Sequence, residues 1–239
     1  MAASRLRDCV LAVVDSGCRR FRAVVAGSAA ALLGMAGAGP ADAAVCPSES
    51  LRYQVEVSIE MPPVAVHRDR SRSQLGLLSF HGPTDRILGV TASSLRAGTA
   101  TRFGHRPLPG EGVCFWVERI EVTLRYESLD IYIASEYAPH SCQYRAILSH
   151  EERHAEVARS YLDDYVQTIR SALTSLAIPK PHSPSLVEQA SAAQSTSQAT
   201  IEKLLAPVLG RLRQDMAAAQ SRIDSPAEYR RVEKQCPRW

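Results

Sequence analysis

The stretch from Ser141 to Leu176, SCQYRAILSHEERHAEVARSYLDDYVQTIRSALTSL, constrains the arrangement of the whole chain. It follows Pro139, opens on a residue type that caps helix N-termini well, and contains no Pro or Gly. Apolar residues recur along it at helical spacing and form one stripe. The stretch therefore predicts one long helix whose apolar side packs against the rest of the fold.

Within this helix, residues 150–154 read His-Glu-Glu-Arg-His, the short pattern H-E-x-x-H. Imidazoles four residues apart share a helix face, about 5 to 6 Å apart at Cβ, and both can reach one metal ion at about 2.0 to 2.1 Å. The pattern predicts a Zn²⁺ site with His150 and His154 as ligands and Glu151 as the base that activates a zinc-bound water. The alternative is a pair of surface histidines in a charged turn. The apolar residues beside both histidines favour the metal site.

A catalytic zinc ion needs a third protein ligand, and no residue of the same helix supplies it easily. Glu228 is the first candidate and Asp224 is the alternative, with His140 and Glu136 behind them. Glu228 stands three residues after Ser225, so it could equally complete a capping box at the start of its own helix. The third ligand therefore stays open.

Four cysteines follow residue 43, namely Cys46, Cys114, Cys142 and Cys236. In an exported chain they predict two disulfides, with three possible pairings. Cys142 stands eight residues before His150, and Cys236 stands eight residues after Glu228. If the two helices are antiparallel, both offsets are about 12 Å, and a Cys142–Cys236 bond brings Glu228 level with His150. We therefore predict the pairs Cys142–Cys236 and Cys46–Cys114.

Residues 1–43 have the features of a signal peptide. Five arginines precede an apolar run of small residues, and Ala41-Asp42-Ala43 provides an A-x-A cleavage pattern. The run is too short and too rich in Ala and Gly to predict a membrane span. We expect a mature chain, 44–239, that is periplasmic or secreted and keeps no stable membrane span. Its net charge falls from +3 to +1 without the first 43 residues, which gives no electrostatic footprint for nucleic-acid binding.

The first part of the mature chain, residues 44–137, is rich in predicted strands. Residues 51–60 alternate between polar and apolar side chains and predict one strand. Residues 113–126 and 129–137 predict two paired strands joined by a turn at Glu127-Ser128. These patterns indicate a small antiparallel sheet.

The second part, residues 141–236, is predicted to be helical. After the long first helix, Ser185-Leu186-Val187-Glu188 predicts the start of a second one that lies along the first. Ser225 then caps a short last helix. The predicted fold is a single α+β domain: a small antiparallel sheet, a long helical hairpin and a short C-terminal helix.

These features resemble a bacterial domain family described as predicted secreted zinc-dependent proteases. The shared features are His81-Gly82-Pro83, Gly89-Val90-Thr91, a strand opening at Cys114, the helix with the H-E-x-x-H pattern, and a late helix ending near Asp224. The resemblance implies zinc-dependent peptidase activity. The chain departs from the family after the late Asp, where Ser225-Pro226-Ala227-Glu228-Tyr229 replaces a Thr-x-His-Gly stretch.

The sequence therefore predicts an exported zinc peptidase that acts on a peptide or protein substrate, with Glu151 as the base. We expect the substrate to pair as an added strand with an edge strand at residues 129–136. The alternatives are a periplasmic protein that binds zinc without turnover, and an envelope interaction protein in which the histidines are incidental. Metal content and peptide cleavage distinguish the three.

Overall fold

The computed structural model of the protein describes residues 45–78 and 87–239. The predicted signal peptide and the His81-Gly82-Pro83 segment lie outside these ranges. The elements in chain order are β1 Gln54–Glu60, β2 Ala65–His67, α1 Arg72–Leu78, β3 Gly89–Leu108, β4 Gly112–Ile133, α2 Cys142–Thr174, β5 Ser185–Val187, α3 Ala190–Ile223 and α4 Pro226–Glu233. Among the described residues, none of the helices combines the length and the apolar character that crossing a membrane requires.

The sheet is built around β4, a single strand of 22 residues. β3 pairs antiparallel with β4 along almost its whole length, and the turn between them places Gly110 at a φ of 78°, which glycine adopts without strain. The other side of β4 carries β1 and β2, both parallel to it, and β5, which is antiparallel. β4 therefore has neighbours on both sides.

The predicted small antiparallel sheet is wrong. The sheet has five strands, and β1 and β2 lie parallel to β4. An alternating pattern shows that a strand has one buried face, but it does not show the direction of the strand beside it. Because the chain passes through the long β3 before it returns as β4, β1 and β4 run the same way.

The turn predicted at residues 127–128 is also absent, because β4 continues through it. The buried positions of β4 are even-numbered from Ile120 to Tyr126 and odd-numbered from Leu129 onward. The pairing register shifts at the same place, between Ser93 and Leu95 of β3. A β-bulge has this effect, since one extra residue moves the following side chains to the other face.

The observed helices agree with the sequence prediction more closely than the sheet does. The predicted cap of α2 is confirmed, because the Ser141 hydroxyl accepts a hydrogen bond from the Tyr144 backbone N–H. The start predicted for the second helix is wrong: residues 185–187 form β5, and α3 begins at Ala190. Leu186 pairs with Cys114 in β4, and this tertiary pairing outweighs the local capping signal. The short last helix starts after Ser225 as predicted.

The long helices α2 and α3 pack side by side and antiparallel on the sheet. Tyr165 of α2 donates a hydrogen bond to Asp215 of α3, while the earlier His154 meets the later Gln220. The buried core between helices and sheet consists of Val117, Ile120, Val122, Leu124, Tyr126, Ala158, Leu162, Ile169, Leu173, Ile201, Leu205, Leu212 and Met216. Each buried Leu or Ile there stabilises the fold by about 1.5 to 3 kcal/mol. This packing brings the end of α3 to the first half of α2.

Candidate metal centre

The two histidines of the H-E-x-x-H turn lie on the buried side of α2. His150 and His154 are each 5% exposed, and their ring centroids lie 5.0 Å apart. Their Nε2 atoms are 3.4 Å apart. Both rings therefore point toward the same small region instead of toward solvent.

Asp224, the residue at the C-terminal end of α3, enters this region from the facing helix. One carboxylate oxygen, Oδ1, lies 3.3 Å from Nε2 of His150 and 3.1 Å from Nε2 of His154. The Tyr229 hydroxyl donates a hydrogen bond of 3.1 Å to the same oxygen. Asp224 thus completes a group of three side chains that each offer one possible ligand atom.

The spacing of these three atoms fits a tetrahedral metal site. In such a site, neighbouring ligand atoms lie about 1.6 bond lengths apart, or about 3.3 to 3.4 Å for bonds of about 2.0 to 2.1 Å. The three observed separations are 3.1, 3.3 and 3.4 Å. His150, His154 and Asp224 could therefore hold a metal ion together.

The charged forms of these side chains stabilise each other. Burial works against ionisation of Asp224, but hydrogen bonds and charge from His150 and His154 outweigh it and hold the pKa of Asp224 well below its usual value. Burial likewise opposes charging of His154, but Asp224 and Glu151 outweigh it and raise the pKa of His154. The region therefore stabilises positive charge next to a carboxylate, as a cation site requires.

Glu151 is buried beside the group and is 4% exposed. The Thr91 hydroxyl lies 2.8 Å from its Oε2 and donates to it. Burial raises the pKa of Glu151, and the nearby His154 and His150 oppose that rise. A buried carboxyl with a raised pKa is suited to taking up and releasing a proton.

Gly89 explains how Glu151 comes so close to β3. A Cβ atom at Gly89 would lie 2.7 Å from Cγ2 of Ile147 and 2.8 Å from Oε1 of Glu151. Such distances are too short for any side chain, so glycine lets α2 approach the strand. Gly89 and Thr91 of the Gly89-Val90-Thr91 segment thus contact Glu151.

The structure does not bring Glu228, the first candidate for the third ligand, into the group. Its carboxylate forms ion pairs with Arg153 and Arg231, and its backbone N–H lies 3.4 Å from the Ser225 hydroxyl oxygen. Glu136 accepts hydrogen bonds from the Arg72 backbone N–H. The alternative carboxylate, Asp224, occupies the place predicted for Glu228.

Both predicted disulfides are confirmed. Cys142 is bonded to Cys236, and Cys46 is bonded to Cys114. The first bond joins the start of α2 to the residues after α4, so it holds the C-terminal segment near the candidate metal centre. Two disulfides are consistent with an exported protein.

The predicted substrate strand is not an edge. Residues 130–132 of β4 pair with β2 on one side and with β3 on the other. No free backbone row remains there for a peptide to pair with.

Three supporting residues, Gly89, Thr91 and Gln220, were not predicted as part of the site. Gln220 contacts both the ring and the backbone carbonyl of His154. One signal was available for it: Gln220 and Asp224 are four residues apart, the same spacing as His150 and His154. Each pair lies on one face of its helix, so two helices that face each other can bring the two pairs together.

Comparison with known protein families, with curated proteins and with solved structures finds no match for this chain. The resemblance to secreted zinc-dependent proteases remains an expectation from the sequence, and a function can be proposed only from the geometry of the site.

Proposed function

We propose that this protein is a zinc-dependent hydrolase, and specifically an exported peptidase. The observation that carries the proposal is the convergence of His150, His154 and Asp224 beside the buried carboxyl of Glu151. Two imidazoles and one carboxylate are the protein ligands of many catalytic zinc sites, which keep a fourth position open. The two disulfides support export to the periplasm or beyond the cell.

Zinc suits this donor set better than calcium or magnesium. The latter two prefer oxygen ligands, and magnesium requires octahedral geometry. Imidazole nitrogen suits zinc, and the observed separations match a tetrahedral arrangement. A donor set of two imidazoles and one carboxylate therefore favours zinc over calcium and magnesium.

The proposed mechanism assigns one task to each residue. When bound, zinc supplies a Lewis acid that polarises a carbonyl and lowers the pKa of a water molecule toward 7. His150, His154 and Asp224 would hold the ion. Glu151 would accept a proton from the attacking water and donate it to the leaving amine. The Thr91 hydroxyl orients the Glu151 carboxylate for this transfer.

The test combines metal analysis with peptide cleavage. Protein purified without a histidine tag should contain about one zinc ion per chain. It should cleave members of a random peptide library, and Glu151→Gln should lower turnover by about 100-fold to 10,000-fold while keeping the zinc. Glu152→Gln, an exposed neighbour in the same turn, is the matched control and should keep full activity. Equal cleavage by the Glu151 and Glu152 variants would overturn the proposed mechanism.

A second candidate is a protein that binds zinc without turnover. The burial of His150, Glu151 and His154 favours it, since each is at most 5% exposed and a substrate needs a way in. Bound zinc without cleavage of any library member would support this candidate. Absence of bound zinc from the wild-type protein would reject both and favour an envelope interaction protein.

A further inference from the structure

We infer that Gln220 is a positioning residue that sets the tautomer of His154, so that the Nε2 lone pair faces the metal position. The inference rests on the proposed metal centre and adds a residue that the H-E-x-x-H pattern does not contain. It depends on two hydrogen bonds between α3 and α2, which the Gln220 side-chain amide makes to one histidine.

The orientation of the Gln220 amide follows from its contact with the backbone. Its Nε2 atom lies 3.0 Å from the backbone carbonyl oxygen of His154. A carbonyl oxygen only accepts hydrogen bonds, so the NH₂ group of the amide must face it. The amide oxygen, Oε1, is then left facing the imidazole Nδ1 of the same histidine.

The orientation of the amide in turn fixes the proton on the ring. Oε1 only accepts, so Nδ1 of His154 must carry the hydrogen that it receives. In the neutral imidazole the other nitrogen, Nε2, then has a lone pair. That nitrogen lies 3.1 Å from Oδ1 of Asp224 and 3.4 Å from Nε2 of His150, so with a metal bound its lone pair would face the position between the three atoms. Three electron-pair donors meet there, and such a group is stable around a cation.

The two imidazoles differ in this respect. Nδ1 of His150 is buried and has no hydrogen-bond partner within the described parts of the chain. Only His154 therefore has a described acceptor on its second nitrogen, and Gln220 supplies it. A hydrogen bond at that position orients the ring and makes the ligating nitrogen more basic.

Gln220 and Asp224 lie one helical turn apart on α3. The same turn of α3 therefore provides one proposed ligand, Asp224, and the side chain that orients another, His154. A shift of α3 along α2 would disturb both at once. Metal binding and the packing of the two helices are therefore coupled.

The experiment compares zinc affinity, by chelator competition, in the wild type and three variants. Gln220→Leu should bind zinc about 10-fold to 100-fold more weakly, as expected for loss of an outer-shell partner. Gln220→Glu should bind zinc at least about threefold more tightly than Gln220→Leu, because its carboxylate still accepts the Nδ1–H although it cannot donate to the His154 carbonyl oxygen. Gln214→Leu changes an exposed glutamine of the same helix and should leave the affinity unchanged. Equal affinity of the Gln220→Leu variant and the wild type, or equal losses in the Leu and Glu variants, would overturn the inference.

A second measurement needs no variant. Long-range ¹H–¹⁵N spectra of the zinc-loaded wild type should show the proton of His154 on Nδ1 and the metal at Nε2. Metal bound at Nδ1, with the proton on Nε2, would overturn the inference even if the protein proves to be a zinc enzyme. Failure of the wild type to bind zinc would instead remove the proposed function, and with it the metal-directed role of Gln220.

Discussion

Nε2 of His154 lies 3.1 Å from Oδ1 of Asp224, although 70 residues separate the two along the chain. The contact exists only when α3 has returned along α2, so the candidate metal centre forms with the packed helical hairpin. A ligand that binds only the folded protein stabilises it, by about 2.7 kcal/mol at a concentration 100 times its Kd. Zinc should therefore raise the melting temperature, and this shift provides a readout of binding that does not depend on catalysis.

The identity of the third ligand can be tested with two carboxylate variants. Asp224→Asn should weaken zinc binding by more than about 100-fold, because it removes an anionic ligand. This loss should exceed the loss of about 10-fold to 100-fold expected for an outer-shell partner. Glu228→Gln should leave zinc affinity nearly unchanged, because Glu228 pairs with Arg153 and Arg231 instead. Chelator competition measures both. The reverse order of losses would return Glu228 to the metal site.

The Cys142–Cys236 disulfide should support the metal centre, whereas the Cys46–Cys114 disulfide should not. The former holds the segment after α4 near α2, and Tyr229 of α4 donates to Asp224. The two bonds close loops of similar length, with sequence separations of 94 and 68, so their loop-closure terms differ by only about 0.3 kcal/mol.

Replacing either cysteine pair by serine should therefore destabilise the protein by a similar amount, about 2 to 5 kcal/mol. Only the loss of Cys142–Cys236 should also weaken zinc binding, which can be measured under conditions where both variants remain folded. Equal zinc affinity in the two double variants would show that the C-terminal tether does not contribute to the site.

Gly89 should be intolerant of substitution because of its contact with α2. A methyl group at this position would meet Ile147 and Glu151 at less than 3 Å. Gly89→Ala should therefore cost about 1 to 3 kcal/mol, the usual range for overpacking, and displace the Glu151 carboxyl. A methyl group added at Gly98, also in β3, would meet no described atom within 4 Å, so Gly98→Ala should change stability by less than about 0.5 kcal/mol. Urea unfolding of the two variants checks the difference.

The sequence predicts α2 and the convergence of His150 and His154 because the signals there are local. The N-cap at Ser141 and the pair His150 and His154 depend only on helix geometry, and the structure shows the cap where the sequence predicts it. Which carboxylate joins the two histidines depends on how α3 lies along α2, and spacing alone could not decide between Asp224 and Glu228.

The sheet is harder to predict for identifiable reasons. β3 is largely polar and exposed in its middle, so it lacks the alternation that marks a strand. The bulge in β4 at residues 127–128, opposite Ser93 to Leu95 of β3, moves the buried side chains from even to odd positions. In the sequence, such a shift in the alternation looks the same as a turn between two strands. Parallel pairing of β1 with β4 depends on contacts between distant parts of the chain, which no local pattern encodes.

Glu151 should reduce stability while it supports the proposed reaction. Its carboxyl is buried, and burial raises its pKa, so ionisation costs more in the folded than in the unfolded protein. The unfolded state therefore gains from ionisation as the pH rises above 4.5, the ordinary value for glutamate, and the wild type loses stability there. Glutamine cannot ionise, so Glu151→Gln should avoid this loss.

In the presence of a chelator, urea unfolding should show that the free energy of unfolding of the Glu151→Gln variant is higher than that of the wild type by about 0.5 to 2 kcal/mol at neutral pH. The gap should shrink toward pH 4. Glu152→Gln, in the exposed neighbour, should show no such gap. If Glu151→Gln were the less stable protein at neutral pH without metal, the carboxylate would be satisfied in the fold, and its burial would give no reason to assign it to proton transfer.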